Sequence, residues 1–212
     1  LPGKYTVRIT AETIGGTGAL IRVKHEQPLE IRMDPRVKTS PDDLQRQFEL
    51  DRKIADALHR DYQALQQVRS LRSQLKSLTD RKPSSEIAKT IAALEAKAAA
   101  LEGDEGGYGT RFLSTPEGRS LTRLNTGLSA VLSALDSADA APTTQQSAMF
   151  GDLEKALGEQ LRNWEQMKSK DVADLNAQLS RAGLPVIDLQ KPAAGSADSA
   201  QTTSQDRDRD VE

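Results

Sequence analysis

Over the first 33 residues apolar and polar side chains alternate, whereas from Leu44 onward apolar side chains return every three or four positions. These are the periods of a strand and of an amphipathic helix, so the architecture changes across residues 33–44. In the first part Tyr5, Val7 and Ile9 alternate with Lys4, Thr6 and Arg8. Leu20 or Ile21 with Val23 follows the loop Gly15-Gly-Thr-Gly18, and Leu29, Ile31 and Met33 alternate again. The pattern predicts two or three short strands. A sheet this small has little to bury against, and the chain opens at Leu1 without an initiator Met. The expectation is a small antiparallel β remnant of an immunoglobulin-like domain, at the start of the C-terminal piece of a larger protein.

The rest predicts a mainly α protein. Ser40-Pro41-Asp42-Asp43 supplies an N-cap, a first-turn proline and two carboxylates at the positive end of the helix dipole. Leu44, Phe48, Ile54, Leu58, Tyr62, Leu65, Val68, Leu71, Leu75 and Leu78 follow before Pro83. This spacing predicts one helix of ~40 residues, ~60 Å long. A second helix starts at Ser84 or Ser85 and carries Ile87, Ile91, Leu94, Ala98 and Leu101 up to Gly103. After the glycine-rich loop 103–114 and a cap signal at Thr115-Pro116-Glu117, the third helix presents Leu121, Leu124, Leu128, Val131 and Leu135. The turn 139–143 leads into a fourth, with Phe150, Leu153, Leu157, Leu161, Trp164, Val172, Leu175 and Leu179 inward, then Gly183 and Pro185 as its stop. The fold class is an antiparallel helical bundle. Short connections make four helices side by side the default. In the rival arrangement the two shorter helices lie end to end as one broken arm of a three-helix bundle. The expected units are the β segment 1–38, the bundle 39–188 and a disordered tail 189–212 rich in Ala, Ser, Thr, Gln and alternating Asp and Arg.

Composition narrows the function classes. The 29 basic and 31 acidic residues nearly balance, which argues against a nucleic-acid or anionic-membrane binder. Without cysteine there is no disulfide framework, thiolate metal site or cysteine nucleophile. No apolar run approaches the ~18–20 residues of a membrane span.

Leu1-Pro-Gly-Lys-Tyr-Thr-Val-Arg8, the junction Met33-Asp-Pro-Arg-Val-Lys-Thr-Ser-Pro41, Ser137-Ala-Asp-Ala-Ala-Pro-Thr143, Asp174-Leu-Asn-Ala-Gln-Leu179 and Ala182-Gly-Leu-Pro185 carry a resemblance. With them the chain resembles the C-terminal region of bacterial exported VPS10/sortilin-like, BNR-repeat (Asp-box) propeller proteins, often labelled glycosyl hydrolases. The resemblance implies an exported, periplasmic or extracellular, parent and a module lying downstream of its propellers. The hydrolase label belongs to the propellers. The one trace of an Asp box, Ser196-Ala-Asp-Ser-Ala-Gln-Thr202, lacks the glycine and the aromatic residue and reads as chance.

Candidate chemistry is sparse. His25 and His59 have no Cys or His at ligand spacing, so no metal site is expected. Asp42 with Asp43, and Asp171 with Asp174, are the closest carboxylate pairs. The first suits a helix N-terminus and the second a solvated flank, so neither predicts the proton donor of a glycosidase. Loop 103–109 is glycine-rich but lacks the Gly-Lys-Ser/Thr ending of a phosphate loop. Asp206, Asp208 and Asp210 alternate with Arg207 and Arg209, which neutralise them as cation ligands. Arg69, Arg72, Lys76, Arg81 and Lys82 make one end of the first helix basic, as its dipole favours. Trp164 falls in the apolar register and needs a partner for its indole N–H. For a partner contact the candidates are Tyr108, Arg111 and Phe112, types enriched at interface hot spots, in the long loop of an aromatic-poor chain. The expected function is therefore a non-catalytic structural or interaction module without cofactors. Its partner would be its own upstream propeller domains or another protein. The alternative is an accessory part of a sialidase-like glycoside hydrolase whose active site lies in the propeller.

Overall fold

The computed structural model describes residues 1–14, 20–103 and 120–191. β1 (Gly3–Ile14) and β2 (Leu20–Ile31) form a two-stranded antiparallel hairpin, with Gly3 opposite Ile31 and Ile14 opposite Leu20. The second and third predicted strands are thus one strand. Pro28 does not interrupt it, because it lies opposite Thr6 on a strand with an outer edge, where a missing N–H costs no ladder bond. The turn at 15–18 lies outside the described residues.

The predicted cap opens α1 (Pro41–Asp80): Ser40 Oγ accepts the Asp43 N–H at 3.1 Å. The helix stops where Lys82 takes a left-handed φ of 52° before Pro83. α2 (Ser85–Glu102) starts from Ser84, and α3 (Leu121–Leu135) from Ser120. The cap signal at 115–117 lies outside the described residues. α4 (Thr144–Gln166) opens on a reciprocal cap, in which Thr143 Oγ1 accepts the Gln146 N–H and Gln146 Oε1 accepts the Thr143 N–H. It runs on through one π-helical turn (Met167–Val172) into α5 (Ala173–Arg181). Met167 and Val172 are both buried yet five residues apart, a spacing that an α-helix carries off its face and a π turn absorbs. Gly183, at φ 67°, ends α5. Its N–H reaches the Ser180 carbonyl and that of Leu184 the Leu179 carbonyl, the hydrogen-bond pair of a Schellman stop.

Contacts along α1 decide the topology. Arg69 reaches Glu102 on α2, Asp61 meets Asn125 on α3, and Gln47 donates to the carbonyls of Leu135 and Ala138. α2 and α3 therefore follow one another along α1, antiparallel to it. Arg60 pairs with Glu154 and Gln67 with Trp164, so α4 runs parallel to α1, while Lys97 with Asp171 and Thr90 with Gln178 join its continuation to α2. The four helical segments form three columns, the broken-arm arrangement rather than four helices abreast. The lengths fit: α1 and the α4–α5 column each span ~60 Å, and α2 and α3 must be added to match them.

The core is aliphatic, with Ile54, Val68, Leu71, Leu124, Leu128, Leu157, Leu175 and Leu179 fully buried around Trp164. Two expected inward residues are not there: Phe48 is 40% and Tyr62 56% exposed. The buried line of α1 runs instead through Ile54, Ala57, Asp61, Ala64 and Val68. Its alanines leave room for α3 to approach closely. After α5 the chain folds back over the bundle, Ile187 is buried and Leu184 and Leu189 pack against the core. Asn176 binds both main-chain groups of Ile187, and Ser70 Oγ donates to the Lys191 carbonyl. Among the described residues no helix is long and apolar enough to cross a membrane.

Candidate interaction surface and acidic cleft

Strand parity divides the hairpin into two unlike faces. Odd-numbered positions place Tyr5, Val7, Ile9 and Ala11 beside Leu29, Gln27, His25 and Val23 on one face. Even-numbered positions place Lys4, Arg8, Lys24, Glu26 and Glu30 on the other. There Glu26 takes both Arg8 at 2.5 Å and Lys24 at 3.0 Å, which hold its carboxyl below the usual range, Lys24 contributing most. The apolar face is bare: Ile9 is 63% and Val23 56% exposed, and Tyr5, Val7, Leu29 and Ile31 are also exposed. Neither strand packs along a helix; the two pack on each other and meet the bundle at their base. A lone hairpin is marginal in water, and clustered exposed apolar side chains of this kind mark interaction sites.

Where the hairpin meets the bundle there is a cleft of ≈ 460 Å³, walled by Leu1, Ile31, Met33, Leu44 and Phe48. Asp34, Asp51, Asp136 and Asp139 lie in it. Arg36 binds Asp34 through both carboxylate oxygens and keeps its carboxyl low. Asp51 behaves oppositely: burial first, and the Asp136 charge second, raise its carboxyl. One Asp51 oxygen is buried without a hydrogen-bond partner among the described residues. The Thr39 hydroxyl donates to the Asp139 carbonyl and fixes the hinge to the α3–α4 connection.

Two of the five residues of the basic run, Arg69 and Arg72, brace α1 against α2. Glu102 receives Arg69 at 2.8 Å and Arg72 at 2.7 Å, and Arg72 also reaches Glu95 at 2.8 Å. Burial alone would raise the Glu102 carboxyl, but the hydrogen bonds and charges of Arg72 and Arg69 outweigh it and hold it low. Lys168, which interrupts the apolar register, pairs with Glu165 and lies 5.5 Å above the Trp164 ring. The Trp164 indole N–H finds Gln67 Oε1 at 2.9 Å.

Of the residues expected to matter, Tyr108, Arg111 and Phe112 lie outside the described residues. His25 stands on the odd-numbered hairpin face and contacts Gln27, and His59 on α1 contacts Gln63, both exposed. Asp43 accepts from Ser40 and Arg46 at the helix start, and Asp171 pairs with Lys97. Among the described residues no three His, Asp or Glu side chains gather to hold a metal ion. Sequence reasoning passed over Asp51, Asp136 and the buried Asp61. Asp61 was detectable, since it stands on the Ile54, Ala57, Ala64 and Val68 line where an apolar residue is due; the Asp51–Asp136 approach joins the start of α1 to the end of α3, which spacing does not relate. What fold and site define is a three-column helical bundle bearing an amphipathic β-hairpin. No protein family, no curated protein and no solved structure matches the chain.

Proposed function

We propose that this chain is a non-catalytic structural and interaction module that docks or spaces a larger exported, propeller-bearing protein. The observation that supports this reading is the bare apolar face of the hairpin, held at the end of a bundle whose inward positions are nearly all aliphatic. A rigid helical column with an exposed apolar arm suits docking. The β segment is read as part of an immunoglobulin-like sandwich, and loop 103–114, with Tyr108, Arg111 and Phe112, as a second contact with the propellers.

One observation favours the alternative of a share in glycoside hydrolysis. Asp51, its carboxyl raised by burial and by the Asp136 charge, lines the cleft, and the proton donor of a glycosidase is a carboxyl raised in this way. Assay of the full chain on a sialoside and an aryl glycoside separates the two readings. The module reading expects no turnover; turnover that disappears in Asp51→Asn overturns it.

A further inference from the structure

The geometry points to the hairpin as two strands of a shared β-sandwich, completed by a separate two-sheet β-domain that adds a strand of one sheet along β1 and lays its other sheet over the face bearing Tyr5, Val7, Ile9, Val23 and Leu29. This inference rests on the module reading and specifies the partner's chemistry: an apolar inner sheet face and a free edge strand carrying a carboxylate.

The two edges of the hairpin are not equivalent. Pro28 has no N–H, and it faces Thr6 in an unbroken ladder. Such a pair belongs to the set whose main-chain groups turn away from each other. By parity the even-numbered residues of both strands direct their N–H and C=O groups outward. Along β1 these are Lys4, Thr6, Arg8, Thr10 and Glu12, an uninterrupted row of donors and acceptors. Along β2 the row has a gap at Pro28. A strand added to β1 finds every bond, and one added to β2 loses a bond in mid-run.

Area decides against a second copy. Two strands of twelve residues present roughly 40 by 10 Å, or roughly 400 Å² per face, at standard strand rise and spacing. Two copies stacked face to face would bury roughly 800 Å² in total, short of the roughly 1,200 Å² where stable interfaces begin. A β-domain that stacks one sheet on the apolar face and pairs a strand of its other sheet with the edge covers more, and a second hairpin has only one sheet to offer. Charge specifies the edge strand. Glu26 is shared by Arg8 and Lys24, and Glu30 is taken by Arg32, so Lys4 stands without an ion partner among the described residues. The joining strand supplies its carboxylate there.

The test uses the full chain and a synthetic peptide as long as β1, alternating Val with Thr and carrying one Glu to face Lys4. Amide exchange read by NMR is expected to slow about tenfold or more at Thr6, Arg8 and Thr10 when the peptide is added, and not at Arg22, Lys24 and Glu26. Thr6→Pro removes one outward donor and should weaken binding about tenfold, while Lys24→Pro, the same change on the other edge, should bind as the parent chain does. Should Thr6→Pro loosen the hairpin itself, Lys4→Glu carries the test, with binding lost to the Glu peptide and regained with a Lys peptide. Slowing on β2, equal binding by Thr6→Pro and the parent, or no charge dependence at position 4 overturns the inference. So does sedimentation showing a dimer in which the β1 amides are already protected without peptide. Glycoside turnover would remove the module reading but leave the exchange pattern unchanged, and a failed exchange pattern would leave the non-catalytic reading standing.

Discussion

Asp61 on α1 accepts a 2.8 Å hydrogen bond from Asn125 Nδ2 on α3, inside the bundle and fully buried. Its second oxygen has no partner among the described residues. Burial pushes its carboxyl up to about 6, against the downward pull of Asn125 and of the Arg69 charge. The folded chain holds this proton between the unfolded value, near 4, and about 6. Stability therefore falls as pH rises through that window and is level above it. Asp61→Asn should stabilise the protein at pH 7.5 by ~1–3 kcal/mol, and the gain should shrink toward zero by pH 4. Urea unfolding of both chains at the two pH values measures it.

Glu102 has the opposite sign. Its carboxyl is held low by Arg72 and Arg69, so its contribution is present above the unfolded value and is lost as pH falls through the folded one. Glu102→Gln should cost ~1–2 kcal/mol at pH 7, because it leaves two arginines at the α1–α2 seam short of their counter-charge. In the same unfolding series the difference should shrink as pH falls from the ordinary glutamate value, about 4.3, through the lower folded one.

Leu128 and Leu94, buried on α3 and α2, face α1 at different levels of the broken arm. Replacing either with Asp puts an unpaired charge in the core and should cost about 3–5 kcal/mol. The helical signal of the full chain is expected to melt well below that of the parent; an unchanged melting temperature for Leu128→Asp would mean that α3 is not packed where described.

Lys82 holds a left-handed backbone at the end of α1. Glycine adopts that conformation without a Cβ penalty, so Lys82→Gly should stabilise by ~0.5–1 kcal/mol, the reverse of what glycine does inside a helix. Thermal unfolding reads the sign directly.

The sequence by itself determined the helical segments and several of their ends. Ser40 before Pro41 and Gly183 before Pro185 are local signals, satisfied by hydrogen bonds within a few residues, and each stands where its pattern puts it. The change of period near residue 33 likewise separated hairpin from bundle, because side-chain alternation is a property of the chain alone. What lies between elements was decided in three dimensions. That α2 and α3 share one column follows from Arg69 meeting Glu102 while Asp61 meets Asn125, and spacing carries no information about which helix ends abut. That Asp61 and not Tyr62 turns inward depends on how α3 settles against Ala57 and Ala64, a rotation of about 100° per residue that a wide apolar stripe leaves open. The π turn arises because Met167 and Val172 must both face the same neighbours, a demand made by packing. Asp51 and Asp136 are close because α1 begins where α3 ends, and only the antiparallel arrangement of those helices brings two carboxylates to one cleft.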